Sequence, residues 1–231
     1  MGYDNISPRK TGYRHVTPIR TFYVPTRSEV LNHFRQAKGD IYDFRESVNR
    51  SNAGNQMLRT AQGCVLRSSV VMVCSAFDLY VHELLYLTFF FMKNGQIKSP
   101  SDKFRGLFPK GEPRDDRTFY SVMTEEYGWK TMSNPGNFTE TLSDMGLPDT
   151  ENLYVTILSK NGKTVLPEQA KSELERLMGP FYRRRNRIAH SYDYNLPNGQ
   201  EDITDDFVTE YVKLLSCIVD TLSEHINRYL G

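Results

Sequence analysis

Residues 181–192 read Phe-Tyr-Arg-Arg-Arg-Asn-Arg-Ile-Ala-His-Ser-Tyr and hold the densest group of chemistry-bearing side chains in this 231-residue chain. Four arginines, Arg183, Arg184, Arg185 and Arg187, fall within five positions and are followed by an imidazole, His190, and a phenol, Tyr192. Such a set suits a phosphodiester. A guanidinium grips phosphate oxygens through a planar fork, and an imidazole lends or takes a proton near neutral pH. On a helix Asn186 lies four residues before His190 on the same face, where its amide could orient the ring. Arg185 is five residues from His190, about 140° round the helix, so the two do not automatically meet over one phosphate. A site built across a two-fold dimer would relax that difficulty, because the partner's helix supplies the missing face.

The remaining chemistry-bearing residues are quickly sorted. Of the five histidines, His15 lies near the N-terminus, and His33 and His225 flank apolar stripes as solvent-facing helix residues. His82-Glu83 begins a His-Glu-x-x-His zinc pattern, but position 86 is Tyr, so the second ligand is missing. No other spacing suits a metal, and no phosphate-binding glycine loop or Gly-x-Ser-x-Gly elbow is present, so no metal and no cofactor is expected. Three cysteines, Cys64, Cys74 and Cys217, sit in apolar helical context without a Cys-x-x-Cys pair. That excludes a disulfide framework and suits a reducing cytoplasm. A net charge of +1 excludes a surface that is basic throughout, while leaving local patches open.

The elements that must position residues 181–192 are helical. Val30, Phe34, Ala37, Ile41, Phe44 and Val48 recur at steps of four and three from Ser28 onward, an amphipathic helix. A second series, Leu66, Val70, Val73, Phe77, Tyr80, Leu84, Leu87 and Phe91, has the same rhythm with apolar residues on other faces too. Its core, residues 70–92, is long enough to cross a bilayer. However, Asp78, His82 and Glu83 lie near its middle, and each central carboxylate would cost about 2.5–3.5 kcal/mol on insertion. A buried helix at the centre of a bundle is the expected reading, with no membrane involved. A last helix starts near a Thr204 cap and carries Val208, Tyr211, Val212, Leu215, Ile218, Val219, Leu222, Ile226 and Tyr229.

Residues 1–27 carry five basic residues against Asp4, with Pro8, Pro18 and Pro25 spaced through them, so an extended basic arm is expected. It reads either as a solvated tail or as a grip on nucleic-acid phosphates. Residues 28–231 read as a single helical domain, with 94–166 an inserted elaboration punctuated by Gly and Pro. Short helices are expected at Asp115–Tyr127 and Asn137–Met145, and Leu153–Leu158 fits a strand or a helical turn equally well. Glu168–Met178 is helical, and Gly179-Pro180 is expected to break it before a separate short helix carrying residues 181–191. The fold class that follows is all-α, an antiparallel helical bundle with an irregular elaboration between the central helix and the helix of residues 181–191.

At these residues the chain resembles the HEPN superfamily. Arg185-Asn186-x-x-x-His190 resembles its signature, and Ala76-Phe77-Asp78-Leu79-Tyr80-Val81-His82-Glu83-Leu84 resembles the early helix of its RiboL-PSP-HEPN branch. The order of early helix, variable middle, Arg-Asn-x-Ile-Ala-His, polar turn and final helix agrees over about residues 60–230. Tyr192 extends the likeness to the His-x-Tyr form of HEPN toxins. The resemblance implies a metal-independent endoribonuclease with Arg185, Asn186 and His190 catalytic and Arg183, Arg184, Arg187 and Tyr192 holding RNA. Tyr192 would stack on a base, bond a phosphate, be modified by an antitoxin, or simply pack at a helix end. The resemblance also implies a homodimer with a composite active site, a toxin or antiviral-defence role, and an antitoxin or regulatory partner. Two further readings stand beside it: a non-catalytic HEPN-like nucleic-acid-binding or dimeric interaction module, and a helical DNA-binding protein using the arm and Arg183–Arg187 together.

Overall fold

The computed structural model describes residues 26–50, 56–97, 100–109, 115–191, 193–195 and 199–230. All but Thr26 and Arg27 of the expected basic arm, and Tyr192, lie outside the described residues. The protein is an all-α bundle. Its long helices are α1 (Arg27–Arg50), α2 (Gln56–Lys93), α7 (Pro167–Ser191) and α8 (Asp205–Leu230). Four shorter ones, α3 (Asp102–Leu107), α4 (Asp116–Tyr127), α5 (Pro135–Asp144) and α6 (Thr150–Lys160), lie between α2 and α7. A two-residue antiparallel pair, Tyr194–Asn195 with Gly199–Gln200, links α7 to α8.

Side-chain pairing gives the directions. Arg27 lies over the Phe91 ring and Phe34 meets Tyr80, so α1 runs antiparallel to α2. Tyr211 pairs with Cys74, while Ser223 and the Val219 carbonyl pair with Tyr80, so α8 runs parallel to α2. Asp193, just beyond α7, binds Arg67 while Ile188 shares a cavity with Val71 and Met72, which sets α7 antiparallel to α2. Chain neighbours among the long helices are thus antiparallel, and α2 contacts all three others. By length and composition α2 could cross a membrane, but it is the core helix. Leu66, Val70, Val73, Phe77, Tyr80, Leu84 and Leu87 are all buried against the bundle.

Local chemistry starts these helices. Thr26 and Glu29 form a reciprocal capping box at α1, the Glu29 carboxylate accepting from the Thr26 N–H at 2.7 Å. Thr204 caps α8 as the sequence suggests, its hydroxyl accepting from the Phe207 N–H at 3.2 Å. Along α1 the inward position after Ile41 is Arg45, while Phe44 faces solvent. The stripe takes a step of four there, because Asp205 and Thr209 at the start of α8 accept the buried guanidinium's hydrogen bonds.

The elaboration joins the same core. Phe104, Phe119, Met123, Tyr127, Phe138, Leu142, Leu153 and Ile157 are buried in one cluster with the α2 residues. Leu153–Leu158 lies inside helix α6, where Leu153, Tyr154, Ile157 and Leu158 share the inward face. Residues 127–133 are pinned to α2 at both ends. His82 sits 3.0 Å from the Tyr127 carbonyl, and the Ser133 N–H donates to the Asp78 carboxylate at 2.5 Å.

The expected break at Gly179-Pro180 does not occur, and α7 runs without interruption through Pro180. An internal Pro costs a helix about 3 kcal/mol. On both sides of it α7 buries apolar side chains (Ala170, Leu174 and Met178 before, Ile188 after), and Phe181 stacks on Tyr211 with ring centres 4.5 Å apart. Each large buried side chain contributes roughly 1.5–3 kcal/mol, so packing outweighs the local penalty. Pro180 itself is exposed. Pro180→Ala is therefore expected to stabilise the protein by about 1–3 kcal/mol, read from the urea unfolding midpoint. A neutral or destabilising outcome would mean that the chain needs its proline at that point.

Candidate functional site

The C-terminal half of α7 carries the candidate residues, and tertiary packing sorts its four arginines into two kinds. Arg184 is almost wholly enclosed. It donates to the Asp193 carboxylate at 2.6 and 2.9 Å, to Glu201 at 3.0 Å and to the Asp202 carbonyl at 2.8 Å, with the Phe207 ring beside it. Arg187 binds Glu201 at 2.7 Å and lies 3.8 Å from Asp193. The guanidiniums of Arg184 and Arg187, expected to hold RNA, thus each meet carboxylates of the same chain, Arg184 enclosed and Arg187 40% exposed. Arg183 is exposed and forms no ion pair among the described residues.

Arg185 likewise has no carboxylate within ion-pair distance among the described residues, although its charge acts on Asp78. Its Nη1 donates to the Asn186 side-chain oxygen at 3.1 Å, while its Nε is buried without a hydrogen-bond partner. Its charge reaches the Cys74, Asp78 and Tyr211 side chains, placing it against α2 and α8. Burial pushes the Asp78 carboxyl above the usual carboxylate range, against the opposing pull of the Ser133 N–H and Arg185. Burial likewise pushes the Cys74 thiol up to about 12, despite its 2.9 Å contact with the Tyr211 hydroxyl. A thiol held that firmly neutral is packing, not a nucleophile.

His190 is exposed in the last turn of α7, and among the described residues nothing hydrogen-bonds its ring. Asn186 spends its carbonyl oxygen on Arg185, so the structure does not show it holding the imidazole. Arg185 turns toward the bundle and His190 toward solvent, as their spacing on a helix requires. Helix α7 by itself therefore does not point them at one place. Beneath this stretch lies an apolar cavity of about 320 Å3 lined by Cys64, Arg67, Ser68, Val71, Met72 and Ile188. Among the described residues no three His, Cys, Asp or Glu side chains cluster as metal ligands. The His82 ring is occupied between the Asp78 and Tyr127 carbonyls at 2.7 and 3.0 Å.

Sequence reasoning missed Asp193, Arg67 and Glu201, which end the motif helix. Asp193 is fully buried, adopts a left-handed backbone with φ 65°, and donates its N–H to the Arg187 carbonyl at 3.1 Å. Asp tolerates that conformation better than most residues. The available signal was the run of arginines followed by an acid inside a polar turn, and only the approach of Arg67 from α2 gives it meaning.

Against this geometry, the sequence profile of RiboL-PSP-HEPN matches residues 29–228, nearly all of the described bundle. The chain belongs to the RiboL-PSP-HEPN family. Comparison with curated proteins and with solved structures gave no match. Family membership points to an RNA-related or nuclease role for the HEPN bundle, and the bundle itself is the all-α fold the family implies.

Two outcomes follow. Asp193→Ala strands three guanidiniums and is expected to cost about 3–5 kcal/mol, measured by denaturant unfolding. A loss below 1 kcal/mol would show that water can replace the carboxylate. Asp78 gives a pH signature, because a carboxyl whose pKa rises on folding takes up a proton as the chain folds. Its contribution is complete below the unfolded carboxyl's pKa and is lost as pH rises through the folded value. Wild-type stability relative to Asp78→Asn is therefore expected to increase on going from about pH 7 to about pH 4. A gap that stays constant with pH would contradict the burial of this carboxylate.

Proposed function

We propose that this RiboL-PSP-HEPN protein is a metal-independent endoribonuclease whose working groups are Arg185, Asn186 and His190. The observation that carries the reading is the sorting of the arginines. Arg184 is enclosed and Arg187 half-exposed, both on carboxylates of the same chain, while Arg185 has no such salt bridge among the described residues and is braced by Asn186, on the same helix as an exposed His190. A patch that only held phosphate would have no use for an asparagine brace and a free imidazole.

His190 takes the proton of a ribose 2′-hydroxyl, whose oxygen attacks the adjacent phosphorus. The phosphorus–O5′ bond breaks, the leaving oxygen receives the proton back from the protonated imidazole by way of water, and a 2′,3′-cyclic phosphate and a 5′-hydroxyl result. Arg185 stabilises the charge that builds on the phosphoryl oxygens, and Arg183 adds a cation at the substrate's edge. The nucleophile belongs to RNA itself, which excludes DNA as a substrate. Tyr192 is a further RNA contact in this reading.

Arg185 and His190 of one chain face different surroundings, so the reading includes a homodimer in which a second copy completes each site. Met72 and Leu79, both about half exposed on the side of α2 next to the motif, offer that copy an apolar surface. Such a nuclease harms its own cell unless restrained. The reading therefore extends to a cytoplasmic toxin or antiviral-defence effector with an antitoxin or regulatory partner, an extension that rests on the family alone.

The test is incubation of the full chain with cellular RNA in excess chelator, with inspection of fragment 3′ ends. Wild-type protein is expected to leave cyclic phosphates, and His190→Ala to cut roughly 10²–10⁴-fold more slowly while still binding RNA. RNA left intact by wild type, yet bound equally by both proteins, would instead make this a nucleic-acid-binding HEPN module.

A further inference from the structure

The α4–α5 connection, residues 128–134, presents the chain's single tryptophan, Trp129, 71% exposed. Large aromatic side chains are normally covered, so an indole held this far out needs a physical account. Its loop is not left to wander. The Tyr127 carbonyl just before it is fixed to His82, and the Ser133 N–H just after it is fixed to Asp78, so both ends are tied to one turn of α2. Within the loop the Lys130 N–H bonds the Tyr127 carbonyl at 2.9 Å, and the Asn134 N–H bonds that of Thr131 at 3.1 Å. The Lys130 ammonium lies 5.8 Å from the indole centre and 5.1 Å from that of Tyr127, and it is bound to Glu140 at 3.1 Å. The Lys130 side chain is only 5% exposed and its ammonium lies over the indole ring, while Trp129 itself stays largely in solvent.

The second observation is position. Asp193 binds Arg67 and Ile188 shares a cavity with Val71 and Met72. On the antiparallel α7, Arg185, three residues before Ile188, therefore lies by the next turn of α2, from Cys74 to Asp78. The turn that holds this loop, Asp78 to His82, adjoins it. Eight residues of helix span about 12 Å. Trp129 and Arg185 therefore flank the same short length of α2, a separation that a few nucleotides of single-stranded chain would bridge. Every base has a π-face, and unpaired bases bind by stacking on aromatic side chains. From this juxtaposition we infer that Trp129 is a stacking platform for an unpaired base of the RNA, a few nucleotides from the phosphate held at Arg185. The inference rests on the ribonuclease reading above and names its substrate class: single-stranded or looped RNA rather than continuous duplex, whose bases are already stacked.

The lone tryptophan makes its own reporter. The full-length His190→Ala protein is titrated with a mixed-sequence single-stranded RNA oligonucleotide and with the same sequence as a duplex, following tryptophan emission and filter-binding affinity. Emission is expected to quench saturably with the single strand and not with the duplex. Trp129→Ala should weaken single-strand binding roughly 5- to 100-fold, and Trp129→Phe should recover most of it. In the His190-containing protein Trp129→Ala should raise KM more than it lowers kcat. If the single strand binds with unchanged emission and Trp129→Ala binds it as tightly, the inference is overturned while cleavage by wild type leaves the ribonuclease reading intact. If Trp129→Ala alters the sedimentation of the protein and not its RNA affinity, the indole belongs to a protein contact and the inference is likewise overturned. If no form binds or cuts RNA, both readings fall.

Discussion

Three guanidiniums from two helices converge on one buried carboxylate, Asp193, and much of what makes the motif helix usable depends on that meeting. Arg67 arrives from α2, and Arg184 and Arg187 from α7, while Glu201 on the far side of the short β pair supplies the second negative charge. A carboxylate removed from water is tolerable only with such partners, and the partners are held only because the carboxylate cannot leave. The network ends α7, locks the turn that follows to the start of α8, and ties α7 to α2. It also engages two of the four arginines, enclosing Arg184 and leaving Arg187 half-exposed.

Helix α2 is the common wall on which the rest of the protein is arranged. Its inward faces carry the core, and the turn from Asp78 to His82 carries the polar anchors of the 127–133 loop. The next turn toward the N-terminus faces Arg185 through Cys74 and Asp78, and Tyr211 closes the group from α8. A polar cluster inside an apolar bundle is stable only where each member finds a partner. Here the satisfaction is incomplete: the buried Nε of Arg185 is among the side-chain atoms without a hydrogen-bond partner, and its charge acts on Asp78.

The long helices α1, α2 and α8 and the short helices α4 and α5 were legible, because apolar spacing at three and four residues directly reflects which side of a helix leaves water. The lost positions share a cause. At Pro180 the local penalty is real, but packing on both sides exceeds it. In Leu153–Leu158 a short apolar run has no period long enough to separate strand from helix, and its inward contacts decided for helix. At residue 45 an arginine takes the inward place because Asp205, 160 residues away, is there to receive it. No local pattern encodes a partner that distant.

By itself the sequence determined that this is an all-α bundle and that α2 lies at its centre, and it marked residues 183–190 as the densest group of chemistry-bearing side chains. Those properties follow from residue type and near-neighbour spacing, which act within a turn or two of helix. Only the tertiary structure decided which of the four arginines meet carboxylates of the same chain and what Asn186 holds. It also decided that Trp129 stands exposed beside the same stretch of α2. Each of these is a question of burial and of partners brought together from distant parts of the chain, and an electrostatic partner acts by its distance in space, whatever its separation along the sequence.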